Sequence, residues 1–183
     1  MKKTTLLLLI SLFGYFAMHA QKTRIGLTAG VVNAGGRVEF DNGQTVNNNR
    51  QGIYGGLVFD YGITSRIHLE TEADYVSAGN TDFFQVPLLV KFYMGNTDFY
   101  FQVGGQYTYT LDETSEDISR SNIAFAFGAG FDINERVNLN VRFAPQLNDF
   151  QEEEVNNIVS TKINFLNIGV AYKLNLSTKN KEE

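Results

Sequence analysis

The sequence predicts an all-β fold: an eight-stranded antiparallel up-and-down transmembrane β-barrel, preceded by an N-terminal signal peptide. Three observations carry that prediction. Polarity alternates with a period of two through eight segments, the longest segments exceed ordinary strand length, and short turns alternate with longer polar connections. Successive side chains of a strand point to opposite faces, so period two is a sheet signal. Soluble strands average about 5–6 residues, whereas a strand crossing a bilayer at a tilt of about 45° needs roughly 9–11.

The chain totals narrow the choice further. A length of 183 residues admits one domain or two small ones. Hydrophobic content of 43% with 13% aromatic excludes a disordered chain, and charged content of 19% lies below the usual quarter. Mean hydropathy is -0.17, and no internal segment reaches the roughly 18 unbroken apolar residues of a spanning helix. Any crossing is therefore made by strands. Cysteine is absent, which removes a disulfide framework, a thiol nucleophile, a thiolate metal site and a lipidation site. The net charge of -5 argues against a nucleic-acid partner.

Residues 1–20 read as the signal peptide, with Lys2 and Lys3, an apolar run from Leu6 to Met18, and Ala20 before Gln21. The alternative is an N-terminal anchor helix, for which the run is short. Residues 21–174 are the barrel and 175–183 a short periplasmic tail. The first strand is Arg24 to Val32, with Ile25, Leu27, Ala29 and Val31 on its apolar face. The second, Gly52 to Ile63, sets Ile53, Leu57, Phe59 and Tyr61 against Tyr54, Gly56, Val58 and Asp60. The third, Ile67 to Ser77, sets Ile67, Leu69, Thr71, Ala73 and Tyr75 against His68, Glu70, Glu72 and Asp74.

The fourth and fifth strands form the hairpin Phe83 to Leu111, turning at Gly95-Asn96-Thr97-Asp98. Its outgoing arm alternates Phe84, Val86, Leu88, Val90 and Phe92 with Phe83, Gln85, Pro87, Leu89 and Lys91. The sixth strand sets Ile123, Phe125, Phe127, Ala129 and Phe131 against Asn122, Ala124, Ala126, Gly128, Gly130 and Asp132. The seventh sets Val137, Leu139, Val141 and Phe143 against Asn138, Asn140, Arg142 and Ala144. The eighth, Lys162 to Leu174, sets Leu166, Ile168, Val170, Tyr172 and Leu174 against Phe165, Asn167, Gly169, Ala171 and Lys173. Residues 63–66, 95–98 and 134–136 are the short turns. Asn33 to Gln51, Ala78 to Asp82, Asp112 to Ser121 and Asn148 to Ser160 are the longer polar connections. Outer-membrane barrels carry short turns on the periplasmic side and longer loops outside, which places both termini in the periplasm.

Period two alone also fits a soluble barrel with an apolar interior that binds an apolar ligand. The second face decides between them, because it is rich in Gly, Ala, Gln, Asn, Thr and Tyr, with charges only at intervals. Such residues suit a narrow eight-stranded lumen filled by side chains. Aromatic residues near strand ends, among them Phe84, Phe92, Phe99, Tyr107, Tyr109, Phe131, Phe143 and Tyr172, suit the two interfacial girdles. With the polar face inside, Asp60, Glu70, Glu72, Asp74 and Asp132 meet Arg24, Lys91, Arg142 and Lys173. Isolated buried charges are very costly, so the prediction is a structural ionic network that plugs the lumen instead of an ion path.

Catalysis and metal binding are tested on the same residues. Lipid-modifying barrels need a His with a Ser and a carboxylate, and beyond the signal peptide the only histidine is His68, expected to contact Glu70 inside the lumen near the periplasmic rim. Acidic clusters at Asp112, Glu113, Glu116 and Asp117, and at Asp149, Glu152, Glu153 and Glu154, lack EF-hand spacing and read as solvated loops. No cofactor is expected.

The run Phe84-Gln85-Val86-Pro87-Leu88-Leu89-Val90-Lys91-Phe92-Tyr93, with the aromatic strand Phe99 to Gly105 after it, resembles the PorT-like outer-membrane barrel family of Bacteroidota. Lengths and loop order are also similar to OmpX-like eight-stranded barrels. Asn167-x-Gly169-x-x-Tyr172-x-Leu174 resembles the carboxy-terminal signal read by the barrel-assembly machinery, although that signal usually ends the chain and here residues 175–183 follow. These resemblances imply an outer-membrane location in a Gram-negative cell and a partner in the assembly machinery. The expectation is a non-enzymatic barrel with a structural or interaction role. It would touch outer-membrane lipid and lipopolysaccharide, with a possible envelope protein partner. The alternative is an accessory component of a secretion or envelope-assembly apparatus of type IX kind.

Overall fold

A computed structural model describes residues 22–112, 120–148 and 158–176. The signal-peptide reading of residues 1–20, most of the two acidic clusters and the tail from residue 177 lie outside the described residues. Eight strands follow one another: β1 Lys22–Phe40, β2 Thr45–Gly62, β3 Ile67–Ala78, β4 Thr81–Tyr93, β5 Phe99–Thr110, β6 Ser121–Asp132, β7 Val137–Ala144 and β8 Ile158–Asn175. Each pairs with its neighbour in sequence, and β8 closes on β1, giving a closed antiparallel barrel.

The polarity of each strand is laid out across the barrel wall. Phe125, Phe127 and Val141 are 45%, 44% and 40% exposed on the outer surface, while Asp60, Lys91, Arg142 and Asn167 are buried within. This orientation excludes the soluble barrel with an apolar interior. The reason is elementary: with side chains alternating across a single closed sheet, one parity must face the interior and the other the surroundings.

The short turns share their local chemistry. Ile63-Thr64-Ser65-Arg66 and Ile133-Asn134-Glu135-Arg136 each close on a side-chain oxygen, Thr64 Oγ1 accepting from the Arg66 and Ile67 amides and Asn134 Oδ1 from those of Arg136 and Val137. Gly95 supplies a left-handed residue at φ 58° in the third turn. Proline 87, unusual in a central strand because it cannot donate, interrupts the β3–β4 ladder between Thr71↔Leu88 and Asp74↔Gln85. The Thr71 hydroxyl donates to the Pro87 carbonyl there at 2.8 Å.

Two of the expected long connections are corrected. Residues 33–51 are not a loop: β1 and β2 continue in register through Val38↔Val46 and Glu39↔Thr45 and turn at Asp41–Gln44. Asn42 Oδ1 accepts the Gln44 amide at 2.9 Å in that turn, and Gly43 stands at φ 79°. The Asn-Gly pair is a hairpin signal, and a ribbon that rises clear of the packed interior needs no apolar face, so backbone pairing persists where the alternation has faded. Ala78 to Asp82 shortens to a two-residue turn at Gly79-Asn80, between β3 and β4. β8 likewise starts earlier than Lys162, at Ile158, and ends at Asn175. At 19, 18 and 18 residues, β1, β2 and β8 outrun the roughly 9–11 needed to cross and project together as a three-stranded ribbon.

Candidate functional site

The candidate site is the barrel interior, which the strands divide into two tiers. Nearer the short turns lies an ionic tier centred on Asp60 and Glu70. These carboxylates are register partners on β2 and β3, and like charges directly opposite are destabilising. Two ammonium groups from other strands offset this. Lys173 from β8 bridges both, at 3.0 Å from Asp60 and in close contact with Glu70. Lys91 from β4 reaches Glu70 at 2.6 Å and Asp60 at 4.0 Å, with its Nζ 4.2 Å from the centre of the Tyr100 ring.

The same Asp60 is a hub for the turn-end rim. Arg24 Nη2 donates to it at 2.9 Å and to the Tyr93 hydroxyl at 3.3 Å, and Arg24 Nη1 stands 3.6 Å from Asp132. Tyr93 in turn donates to Asp132 at 2.9 Å. His68 Nδ1 lies 2.7 Å from Asp60 Oδ1, which corrects the expected His68–Glu70 contact. His68 and Glu70 share a face of β3, but the carboxylate within the imidazole's reach comes from the adjacent strand. Arg24, His68, Tyr93 and Asp132 also line a cavity of about 370 Å³ that opens among the short turns.

Deeper in, Arg142 from β7 binds Glu72 at 2.7 Å and Asp74 at 3.4 Å. One guanidinium thus serves two carboxylates. The structure therefore brings Arg24, Asp60, His68, Glu70, Lys91, Asp132 and Lys173 into one network and Glu72, Asp74 and Arg142 into a second. Among the described residues no cluster of three or more His, Cys, Asp or Glu has the arrangement of a metal site. Asp112, the described member of the acidic clusters, accepts the Asp82 amide at 2.7 Å.

The second tier, toward the projecting ribbon, holds no buried ion pair among the described residues and combines buried amides and hydroxyls, among them Gln85, Thr110 and Asn122, with an apolar cluster that the expected hydrophilic filling did not include. Phe83 and Phe165 pack edge to face at 5.3 Å, among Val32, Ala34, Val76, Ala78, Ala124, Ala126 and Ala144. Both phenylalanines sit on the inward parity of their strands, so the signal was in the alternation. Tyr54 lies between the tiers over two glycines, because a Cβ at Gly169 would strike its hydroxyl and one at Gly30 its ring. Tyr100 covers Gly130 in the same way. Gly169 thus has a packing reason to lack a side chain. The other residues resembling an assembly signal divide by parity: Asn167 is buried and donates to Gln85 at 3.3 Å, whereas Tyr172 and Leu174 are on the outer surface.

A closed sheet with apolar side chains outside and ion pairs inside has the polarity of a membrane-spanning β-barrel. The sequence agrees, since the model of the outer membrane protein beta-barrel domain matches residues 5–173, and the chain belongs to that family. Among solved structures, AlkL in lipid bilayers is similar over 87% of this chain and 93% of its own, with a TM-score of 0.51 and 14% identity. OprG from Pseudomonas aeruginosa is similar over 85% of this chain and 97% of its own (TM-score 0.43, 18% identity). Ail of Yersinia pestis is similar over 84% and 100% (TM-score 0.47, 13% identity). At such identities the likeness bears on the fold alone. No curated protein matches the sequence.

Proposed function

We propose that the protein is a non-enzymatic outer-membrane barrel with a structural or interaction role in the Gram-negative envelope. Its termini and short turns lie in the periplasm, and the β8-β1-β2 ribbon projects outward. The observation that carries this reading is the interior itself. Asp60, Glu70, Lys91, Arg142 and Lys173 are buried and mutually paired, and Phe83 with Phe165 fills the other tier. Breaking a buried pair leaves an uncompensated charge, so ions and solutes have no low-energy path through. His68 serves the same network, since Asp60 is already shared among Arg24, Lys173 and Lys91. What remains for function is the outside: the rims, the ribbon and the lipid-facing wall.

Fractionation tests the reading. The protein should stay in the membrane pellet after carbonate and high-salt washing, migrate with heat-modifiable mobility in SDS gels, and add no stepwise conductance to planar bilayers. Release by carbonate, or discrete conductance steps, would contradict it. The finer likeness to PorT-like barrels rests on the Phe84 to Tyr93 run, and an accessory role in a type IX-like apparatus would show as stoichiometric co-purification of envelope proteins in mild detergent.

A further inference from the structure

Where the wall of β8, β1 and β2 passes into the projecting ribbon, its outward face changes composition in a fixed order. Leu166 and Phe143, register partners on β8 and β7, are exposed apolar side chains at the base. Above them Asn33, Asn49 and Asn164 surround Gly35, which pairs with Asn49 on one side and Asn164 on the other. Asn47 and Arg37 follow, and Lys162 stands opposite Arg37 across the β1–β8 ladder. A trough of about 460 Å³ runs from Leu166 and Phe143 past these asparagines to Arg37, and Lys162 stands outside its lining, at the rim beside Arg37 by register.

Glycine makes the trough. Asn49 Oδ1 lies 3.2 Å from where a Cβ on Gly35 would stand, so a larger residue would fill the floor. Asn164 is held in place, its Oδ1 accepting the Gln146 amide at 3.0 Å. Arg37 pairs with Glu39 at 2.7 Å through Nη2 while its side chain stays 55% exposed. Two cations directly opposite one another in a ladder are unfavourable, and Glu39 contacts only one of them among the described residues. An external anion would offset the rest.

We propose that this trough is a headgroup site for a phosphorylated glycolipid of the outer leaflet. Acyl chains lie along Leu166 and Phe143, sugar hydroxyls meet the amides of Asn33, Asn47, Asn49 and Asn164, and a phosphate sits on Arg37 and Lys162. The axial order of the groove, from hydrocarbon through amide to cation, is the order of such an amphiphile from tail to phosphate. A free polyanion would leave the apolar base unused. The inference rests on the orientation given under the proposed function, with the ribbon outward.

The test uses the full protein in phosphatidylcholine nanodiscs carrying bis-phosphorylated lipid A in both leaflets, so that it does not depend on which way the barrel is inserted. Lipid A retained after washing is weighed by native mass spectrometry. Wild type should retain it, and should retain dephosphorylated lipid A far less. The double variant Arg37→Gln, Lys162→Gln should bind roughly thirty-fold more weakly, on about 1 kcal/mol for each cation near an anionic lipid surface. Gly35→Val should lose retention with both cations in place, and Arg136→Gln at the opposite rim should retain like wild type. Heat-modifiable mobility confirms that each variant is folded. Equal retention by the double variant or by dephosphorylated lipid A would overturn the proposal, as would competition by inorganic pyrophosphate at the affinity of lipid A, which would mark an anion site without lipid specificity. Failure of the orientation alone shows separately, as loss of labelling at Lys162 by a membrane-impermeant amine reagent on whole cells.

Discussion

Arg142 shows what alternation tells and what it withholds. Its parity on β7 places it in the interior, but nothing in the spacing says that Glu72 and Asp74, about seventy residues earlier in the chain, will share it. That depends on the register accumulated around the barrel. Replacing Arg142 by Gln leaves two carboxylates without their cation and should cost about 3–5 kcal/mol, read as a lowered denaturant midpoint in micelles. Adding Glu72→Gln should recover part of it, and an unchanged midpoint in the single variant would show the pair to be unimportant. His68 illustrates the same limit, because its face was legible while its partner, Asp60, belongs to the preceding strand β2. Gly169 was legible as a motif position but not as the floor beneath Tyr54. Gly169→Val should destabilise by roughly 1–3 kcal/mol through overpacking, and Tyr54→Ala in the same chain should relieve part of the strain.

At the scale of the strand, the sequence speaks where the bilayer constrains it and falls silent beyond. β3 and β7 were bounded to within a residue because their apolar positions face lipid throughout. Residues 35–40 of β1 and 45–51 of β2 hold no buried position on either side of the sheet, so Asn, Gly and Arg replace the alternation although the ladder continues. Hydrogen exchange distinguishes ribbon from loop. Amides of Ala34 to Glu39, flanked by paired strands on both sides, should be protected well beyond those of an open connection. Exchange at the rate of an unstructured peptide would return these residues to a loop. The short turns carry a smaller prediction: Asn134→Ala removes the oxygen that gathers the Arg136 and Val137 amides and should lower stability by about 1 kcal/mol in a denaturant titration.

Taken as a whole molecule, the barrel balances two solvents. The outer surface faces lipid, and the interior is filled by ten ionic side chains in two networks and by two phenylalanines packed edge to face. The apolar tier was missed because Phe83 and Phe165 were read with the polar parity of their strands, whereas a narrow lumen filled by side chains also accepts aromatics where no charge needs a partner. The wall orientation underlies the interior network, the proposed closure of the lumen and the proposed lipid trough alike. The chain contains no tryptophan, so a single introduced indole reports its own surroundings. With Phe127→Trp and Phe165→Trp placed separately in vesicles of brominated phosphatidylcholine, the fluorescence of the first should be strongly quenched and that of the second little affected; quenching at 165 with none at 127 would contradict the account.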